Sequence, residues 1–248
     1  MKIYLLSLAA LALAVPANAA PNFFDDFEGG VNSGVWTKWS GSSELLQTSS
    51  DHNITPGGSQ SARAFAADPT DYNAYADFGA WGGFLSAEVY LFEDFSENGL
   101  DSSRPVTNML ALIGDTGGAI GFGADYIQLG VVPFYPGGSV TYGFRTSYND
   151  NNGIGIIDTG VSRKAGWTKL AIEVDAMSAG GQIRFFIDGQ QVGTSQRQGA
   201  DLRWVRLGNN SKSYENFWYD DVKVVPEPAT LLALGTGVVS LAFRRRKV

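Results

Sequence analysis

Between about residue 20 and residue 225 the chain has no stretch with apolar residues recurring three and four apart over the length of a long amphipathic helix. Short β-branched and aromatic runs are separated instead by Gly, Ser, Thr, Asn and Asp, a pattern that confines the chain to sheet. Runs at 84–92, 107–113, 119–129, 167–174, 182–187, 202–207 and 216–224 read as strands, and residues 40–61 and 149–155 read as polar loops. The sharpest turn signal is Asp188-Gly189, set between IRFFI and QQVG. A two-residue hairpin turn wants positive φ at both central positions, which this dipeptide tolerates. With 0 cysteines, neither a disulfide, a thiolate metal site nor a cysteine nucleophile is available. A domain of roughly 200 residues buries enough apolar surface to fold without such staples. The expectation is one all-β domain over residues 20–224, a sandwich or barrel.

Both ends fall outside that domain. Residues 1–19 read as a signal peptide: Lys2 gives the positive start, 3–15 the apolar stretch, and Ala17-Asn18-Ala19 an A-x-A cleavage site. Residues 225–248 have three parts. Pro226-Glu227-Pro228 stops any strand, because each proline lacks a backbone donor. Residues 229–243 carry no charge, and Arg244, Arg245, Arg246 and Lys247 close the chain with a cluster that favours the cytoplasmic side of a membrane. As a helix, the apolar part rises about 22 Å, short of the ~30 Å hydrocarbon core. So marginal a transmembrane helix suits a transient anchor. In this order the motif, apolar run and basic end resemble the PEP-CTERM sorting signal. The resemblance implies recognition and cleavage by an exosortase-type membrane enzyme, and residence at the envelope or extracellular surface of a Gram-negative bacterium that makes exopolysaccharide.

The last third resembles a concanavalin A-like, laminin-G-like jelly roll. GWTKLAIEVDA, GGQIRFFIDGQQVG, LRWVRLGNN and ENFWYDDVKVV follow one another, and FFDDFEGG with Trp36 matches the opening of such domains. The implied architecture is a jelly-roll sandwich whose first and last strands are neighbours. Residues 60–159 take their sheet assignment from this analogy.

The chain holds 18 Lys+Arg against 25 Asp+Glu. Removing Lys2 and the four cations of the tail leaves 13 against 25, a net of −12 with Glu227 retained. Such an acidic exported domain is a poor binder of nucleic acid or anionic membrane. Acidic pairs do suit calcium, which takes hard oxygen ligands. Asp25-Asp26 and Asp220-Asp221 would approach each other if the end strands pair, and they form the candidate site for a structural Ca2+. Strand alternation places Trp218, Asp220, Val222 and Val224 on one face of the last strand.

For catalysis the residues promise little. Glu88 and Glu93 flank Val89-Tyr90-Leu91-Phe92, close to the acidic pattern of laminarinase-type jelly rolls, but Tyr90 stands where the central aspartate belongs. An offset of five also puts the two acids on opposite faces of a regular strand. His52, the one histidine, reads as a surface-loop residue, so a Ser-His-Asp arrangement and a multi-histidine centre are both unpromising. Glycan sites need exposed rings beside amides, and Tyr148 with Asn149, Asn151 and Asn152, then Trp81 among glycines, are the candidate ligand-binding residues. No catalytic residue is assigned. The expectation is a non-catalytic carbohydrate- or exopolysaccharide-binding protein. A jelly-roll glycoside hydrolase or lyase is the first alternative, and an adhesion or matrix protein with protein partners the second.

Overall fold

A computed structural model describes residues 22–39, 43–66, 71–95, 107–115, 117, 125–131, 140–146, 155–199, 201–209 and 215–226. Fifteen strands follow in chain order: β1 (Phe23–Asp25), β2 (Ser43–Leu45), β3 (Gln47–Ser49), β4 (Ser61–Ala64), β5 (Asp71–Trp81), β6 (Leu85–Glu93), β7 (Asn108–Gly114), β8 (Tyr126–Val131), β9 (Thr141–Arg145), β10 (Ile157–Ser162), β11 (Gly166–Val174), β12 (Gln182–Ile187), β13 (Gln190–Gln196), β14 (Leu202–Gly208) and β15 (Phe217–Val225). They form two sheets. The first runs β13-β12-β11-β6-β15-β4-β3, with β1 also paired to β15; the second runs β10-β9-β8-β7-β14-β5-β2. Among the described residues every strand pairing is antiparallel except the short one between β2 and β5. This is the all-β jelly-roll sandwich expected from the sequence.

Alternation builds the first sheet. Along β6, Leu85, Ala87, Val89, Leu91 and Glu93 are buried while the residues between them are half-buried. In β11, Leu170, Ile172 and Val174 face the same core. The second sheet supplies Ala74, Ala76, Leu110, Leu112, Ile127, Leu129, Tyr142, Phe144, Val205 and Leu207 from its inner face. The Asp188-Gly189 hairpin is as expected, with φ of 49° and 79° closing Ile187 opposite Gln190.

Two expectations fail. Residues 40–61 are not wholly loop, because β2 and β3 form there as three-residue strands beside β5 and β4. Strands so short and polar leave no periodicity to read. The last strand also does not alternate throughout. Asp221 has φ 50°, and the register to β6 shifts between Asp220 and Lys223. This bulge inserts one residue, so Phe217 and Tyr219 share the core with Val222 and Val224, while Trp218 and Asp220 lie on the other face.

Glu93 is the inward-facing acid at the end of β6. Its carboxylate accepts from Tyr142 Oη at 2.5 Å and from Arg163 Nε at 2.6 Å, and Arg163 also pairs with Glu215. Tyr142 comes from the opposite sheet, so the network bridges the sandwich. Burial pushes the Glu93 carboxyl up, opposed by the Arg163 charge.

Candidate functional site

The inner face of the second sheet belongs to the core, and its outer face carries a different set of residues. Register aligns them in rows. Arg206 lies opposite Tyr75 on β5 and Ala111 on β7, Ala111 lies opposite Gln128 on β8, and Gln128 lies opposite Arg145 on β9. One row therefore crosses five strands as Tyr75, Arg206, Ala111, Gln128 and Arg145. A second row has Asp77, Trp204, Ile113 and Tyr126. The third is nearly without side chains: Asn73, Gly208, Met109, Gly130 and Gly143. Here glycine is required. Gly208 has φ 96°, and a Cβ would stand 2.2 Å from Tyr72 O; Gly130 has φ 153°, and a Cβ would stand 2.3 Å from Asn108 O.

Rings and guanidinium groups interleave across these rows. Arg206 donates to Tyr126 Oη and, at 2.6 Å, to Asn209 O, and its guanidinium lies 5.1 Å from the Tyr75 ring centre. Arg145 donates to Gln128 Oε1 at 3.0 Å and lies 5.0 Å from the Tyr126 ring. Trp39 packs on Tyr75 at 5.6 Å, and Arg203 lies 5.4 Å from the Trp204 ring. Tyr75, Met109, Ala111, Ile113, Tyr126 and Trp204 form a cluster separate from the main core. Tyr126, Gln128 and Arg206 are buried although they point away from the main core, while Trp39 and Arg145 are half-buried. Gln128 Nε2 and Trp204 Nε1 are buried with no hydrogen-bond partner among the described residues.

The acids at the margin are poorly placed for glycoside hydrolysis. Asp71 and Asp77 share this face of β5, but six residues of strand separate them by about 20 Å, against roughly 5–9.5 Å for a glycosidase pair. Asp77 and Asp115 both bind Arg203, at 2.9 and 3.4 Å. Burial tends to raise the Asp77 carboxyl, but the Arg203 hydrogen bonds, the Gly79 amide and the Arg203 charge outweigh it and hold the group low. That is the wrong direction for a general acid.

Among the described residues, several of those singled out in the sequence have other places in the fold. Trp81 ends β5, donates its indole N–H to Phe84 O at 3.0 Å and lies over Gly83, so it clamps a turn and packs against the core. Tyr148, Asn149, Asn151 and Asn152 lie outside the described residues. Glu88 faces outward in a 2.7 Å pair with Lys169, on the opposite face from Glu93. His52 is no plain surface residue: it stacks on Phe92 at 3.7 Å and meets Trp218 edge-on at 4.4 Å, and burial lowers its pKa.

The aspartate pairs do come near each other, since β1 pairs with β15 and Asp25 lies opposite Val222. At least one oxygen of each, however, accepts from a protein donor. Asp25 accepts from Phe27 N at 2.8 Å and Trp36 Nε1 at 2.7 Å, and Asp26 accepts from Glu28 N at 3.1 Å. Asp220 accepts from Ile54 N at 2.9 Å and Asp221 N at 2.8 Å, and Asp221 accepts from Thr55 Oγ1 at 2.8 Å. Among the described residues no three acids or histidines come together to hold a metal ion. No such grouping forms at Asp25, Asp26, Asp220 and Asp221, where the sequence anticipates calcium.

β15 ends at Val225, and Pro226 follows it directly. Residues 224–247 match the PEP-CTERM protein-sorting motif. The chain carries a PEP-CTERM sorting signal. The motif marks an exported protein sorted to the cell envelope and implies processing by an exosortase. Pro226, Glu227, Pro228, Arg244, Arg245 and Arg246 lie within the matched residues. A comparison with curated protein sequences finds no match. Solved structures similar to the sorted domain share its fold. An endo-1,3-beta-glucanase from Streptomyces sioyaensis is 15% identical with a TM-score of 0.55, covering 82% of this chain and 94% of that one. A protein described as a sialidase is 10% identical with a TM-score of 0.54; the match covers 84% of this chain but only 19% of the sialidase. A carbohydrate esterase from the Shiga toxin-encoding bacteriophage phi24B is 14% identical with a TM-score of 0.50, covering 77% of this chain and 90% of that one.

Proposed function

We propose that the sorted domain binds extracellular polysaccharide without cleaving it, through the outer face of the second sheet. One observation carries this reading: Trp39 and Arg145, both half-buried, stand on a single face whose buried rings Tyr75, Tyr126 and Trp204 are interleaved with Gln128 and Arg206. Rings stack on the apolar faces of sugars, while amide and guanidinium groups bond their oxygens. Among the described residues the two acids on this face of β5, Asp71 and Asp77, are too far apart to act as a hydrolytic pair. This surface is assembled by strand register and does not include Trp81.

The test is affinity electrophoresis of the domain in gels containing different polysaccharides, with Trp39→Ala and Arg145→Gln as variants. Retardation by at least one polymer, reduced about tenfold or more by either variant at unchanged melting temperature, is the expected result. Retardation unaffected by both variants would move the site elsewhere. New reducing ends released from the polymer would overturn the non-catalytic part of the reading in favour of a hydrolase.

A further inference from the structure

The loop joining β3 to β4, residues 50–60, folds back over the outer face of the first sheet. Register lays one row of side chains beneath it: Arg63 on β4, Trp218 on β15, Phe92 on β6 and Trp167 on β11. The His52 ring stacks on Phe92 at 3.7 Å, 18° from parallel, and meets Trp218 edge-on at 4.4 Å. Trp167 stands beside Phe92 at 5.2 Å. We infer that His52 is a proton-operated cap: neutral, its ring closes over Phe92 and Trp218; protonated, it turns out to solvent and bares them beside Trp167. The cap lies on the sheet opposite the proposed glycan face and does not depend on that reading.

The loop is tied so that the ring can move while the backbone stays. Glu28 accepts from Asn53 Nδ2 at 2.6 Å, Ser59 N at 2.8 Å and Gln60 N at 3.1 Å. Asp220 accepts from Ile54 N at 2.9 Å, and Thr55 Oγ1 donates to Asp221 at 2.8 Å. His52 itself is half-buried, so solvent reaches it. Charges face it from several elements. Asp51 is its neighbour in the loop, paired with Arg63 of β4 at 2.9 Å; Asp94 follows β6; Asp220 lies on β15; and Lys169 of β11 is paired with Glu88. Burial has the largest effect on His52 and lowers its pKa; Asp94 and Asp51 oppose it, while Arg63 adds to it. An imidazolium keeps some attraction for an aromatic face, but against these rings it gives up hydration, and the neutral form wins. The closed cap is therefore fully favoured above the ordinary value of 6.5 and loses that advantage as pH falls below it. An exported protein meets the pH of its surroundings, which gives such a cap something to sense.

The chain has 1 histidine, so NMR of the ring protons of the exported protein follows His52 alone. A midpoint below 6.5 is expected. Hydroxyl-radical labelling of Phe92 and Trp218 should rise about threefold or more from pH 7.5 to pH 5, while the Ile54 amide keeps its hydrogen-exchange protection. His52→Phe retains a ring with no proton to take and should stay lightly labelled at both pH values. His52→Gln removes the ring and should be heavily labelled at both. A midpoint at or above 6.5, labelling that does not change with pH, or His52→Gln labelled no more than wild type at pH 7.5 would each overturn the inference. An equal acid response in wild type and His52→Phe, with protection of Ile54 lost, would also overturn it by placing the response at Asp220.

Discussion

Arg163→Met should lower the melting temperature by about 10 °C, for reasons that lie in one buried network. The Arg163 side chain is 0% exposed, and its guanidinium serves two carboxylates, Glu93 and Glu215. Methionine fills much of the same volume but leaves both acids without their cation. Losing one partner of a buried ion pair costs about 3–5 kcal/mol, because the remaining charge keeps its desolvation penalty. A domain of roughly 200 residues unfolds with about 0.4 kcal/mol/K of entropy, so a loss of ~4 kcal/mol corresponds to roughly 10 °C. Differential scanning calorimetry at pH 7 reads this directly. Burial already pushes Glu93 toward its neutral form, so acidification, which protonates Glu93 once its cation is gone, should shrink the gap between variant and wild type. The triple change Arg163→Met, Glu93→Gln and Glu215→Gln should regain a large part of the loss. A single variant melting within about 2 °C of wild type would refute the argument, since that is well below the ~10 °C this burial demands. Loss of any activity in Glu93→Gln would report damage across the sandwich, because Glu93 faces the core and bonds Tyr142 of the other sheet.

Gly208→Ala places a methyl 2.2 Å from Tyr72 O at φ 96° and should cost about 1–3 kcal/mol, visible as a lower urea midpoint. Asp77→Asn should destabilise slightly at neutral pH. The Asp77 carboxyl is held below its ordinary value, so its contribution is present above the unfolded pKa and fades as pH falls through the folded one. The melting curves of that variant and wild type should therefore converge below about pH 4, and a gap that persists there would contradict the assignment. Chelating calcium should move the melting temperature by less than about 1 °C, because Asp25 and Asp220 already accept protein N–H groups; a larger drop would restore the ion. Inserting a short Gly-Ser spacer between Val225 and Pro226 should speed exosortase processing, since the motif otherwise begins where β15 ends; an unchanged rate by immunoblot of the native host would mean that the enzyme reaches the motif unaided.

The fold was legible where one face of a strand is wet and the other dry. FLSAEVYLF alternates, and so does KLAIEV, and both became strands with the expected inward residues. Asp188-Gly189 carried its turn in two letters. Legibility failed where alternation vanishes. Every residue of β7 and β8 is buried, so their runs look the same to either face, and the outward role of Tyr126 and Gln128 left no periodic trace. The bulge at Asp221 was hidden for another reason: only the register to β6 and a positive φ on a non-glycine residue reveal it. The proposed face is a product of long-range pairing. Tyr75, Gln128 and Arg206 come from three strands distant in sequence, and no local motif announces that β5, β14, β7 and β8 will lie side by side.

That long-range assembly also bears on how the two ends and the site are related. Phe23 lies opposite Val224, so the chain enters and leaves the sandwich through one strand pair of the first sheet. The sorting motif begins at that same place, with β15 held between β6 on one side and β1 and β4 on the other. The proposed binding face belongs to the other sheet and points away from the core that separates the two. A domain held at the β1–β15 end during sorting would therefore keep its ring-and-guanidinium face on a sheet that takes no part in the tether. The same consideration disfavours the outer face of the first sheet as the ligand surface. There Phe92 and Trp218 are already covered by His52, and the loop that carries His52 is fastened to Asp220 on the strand that leads into the sorting motif.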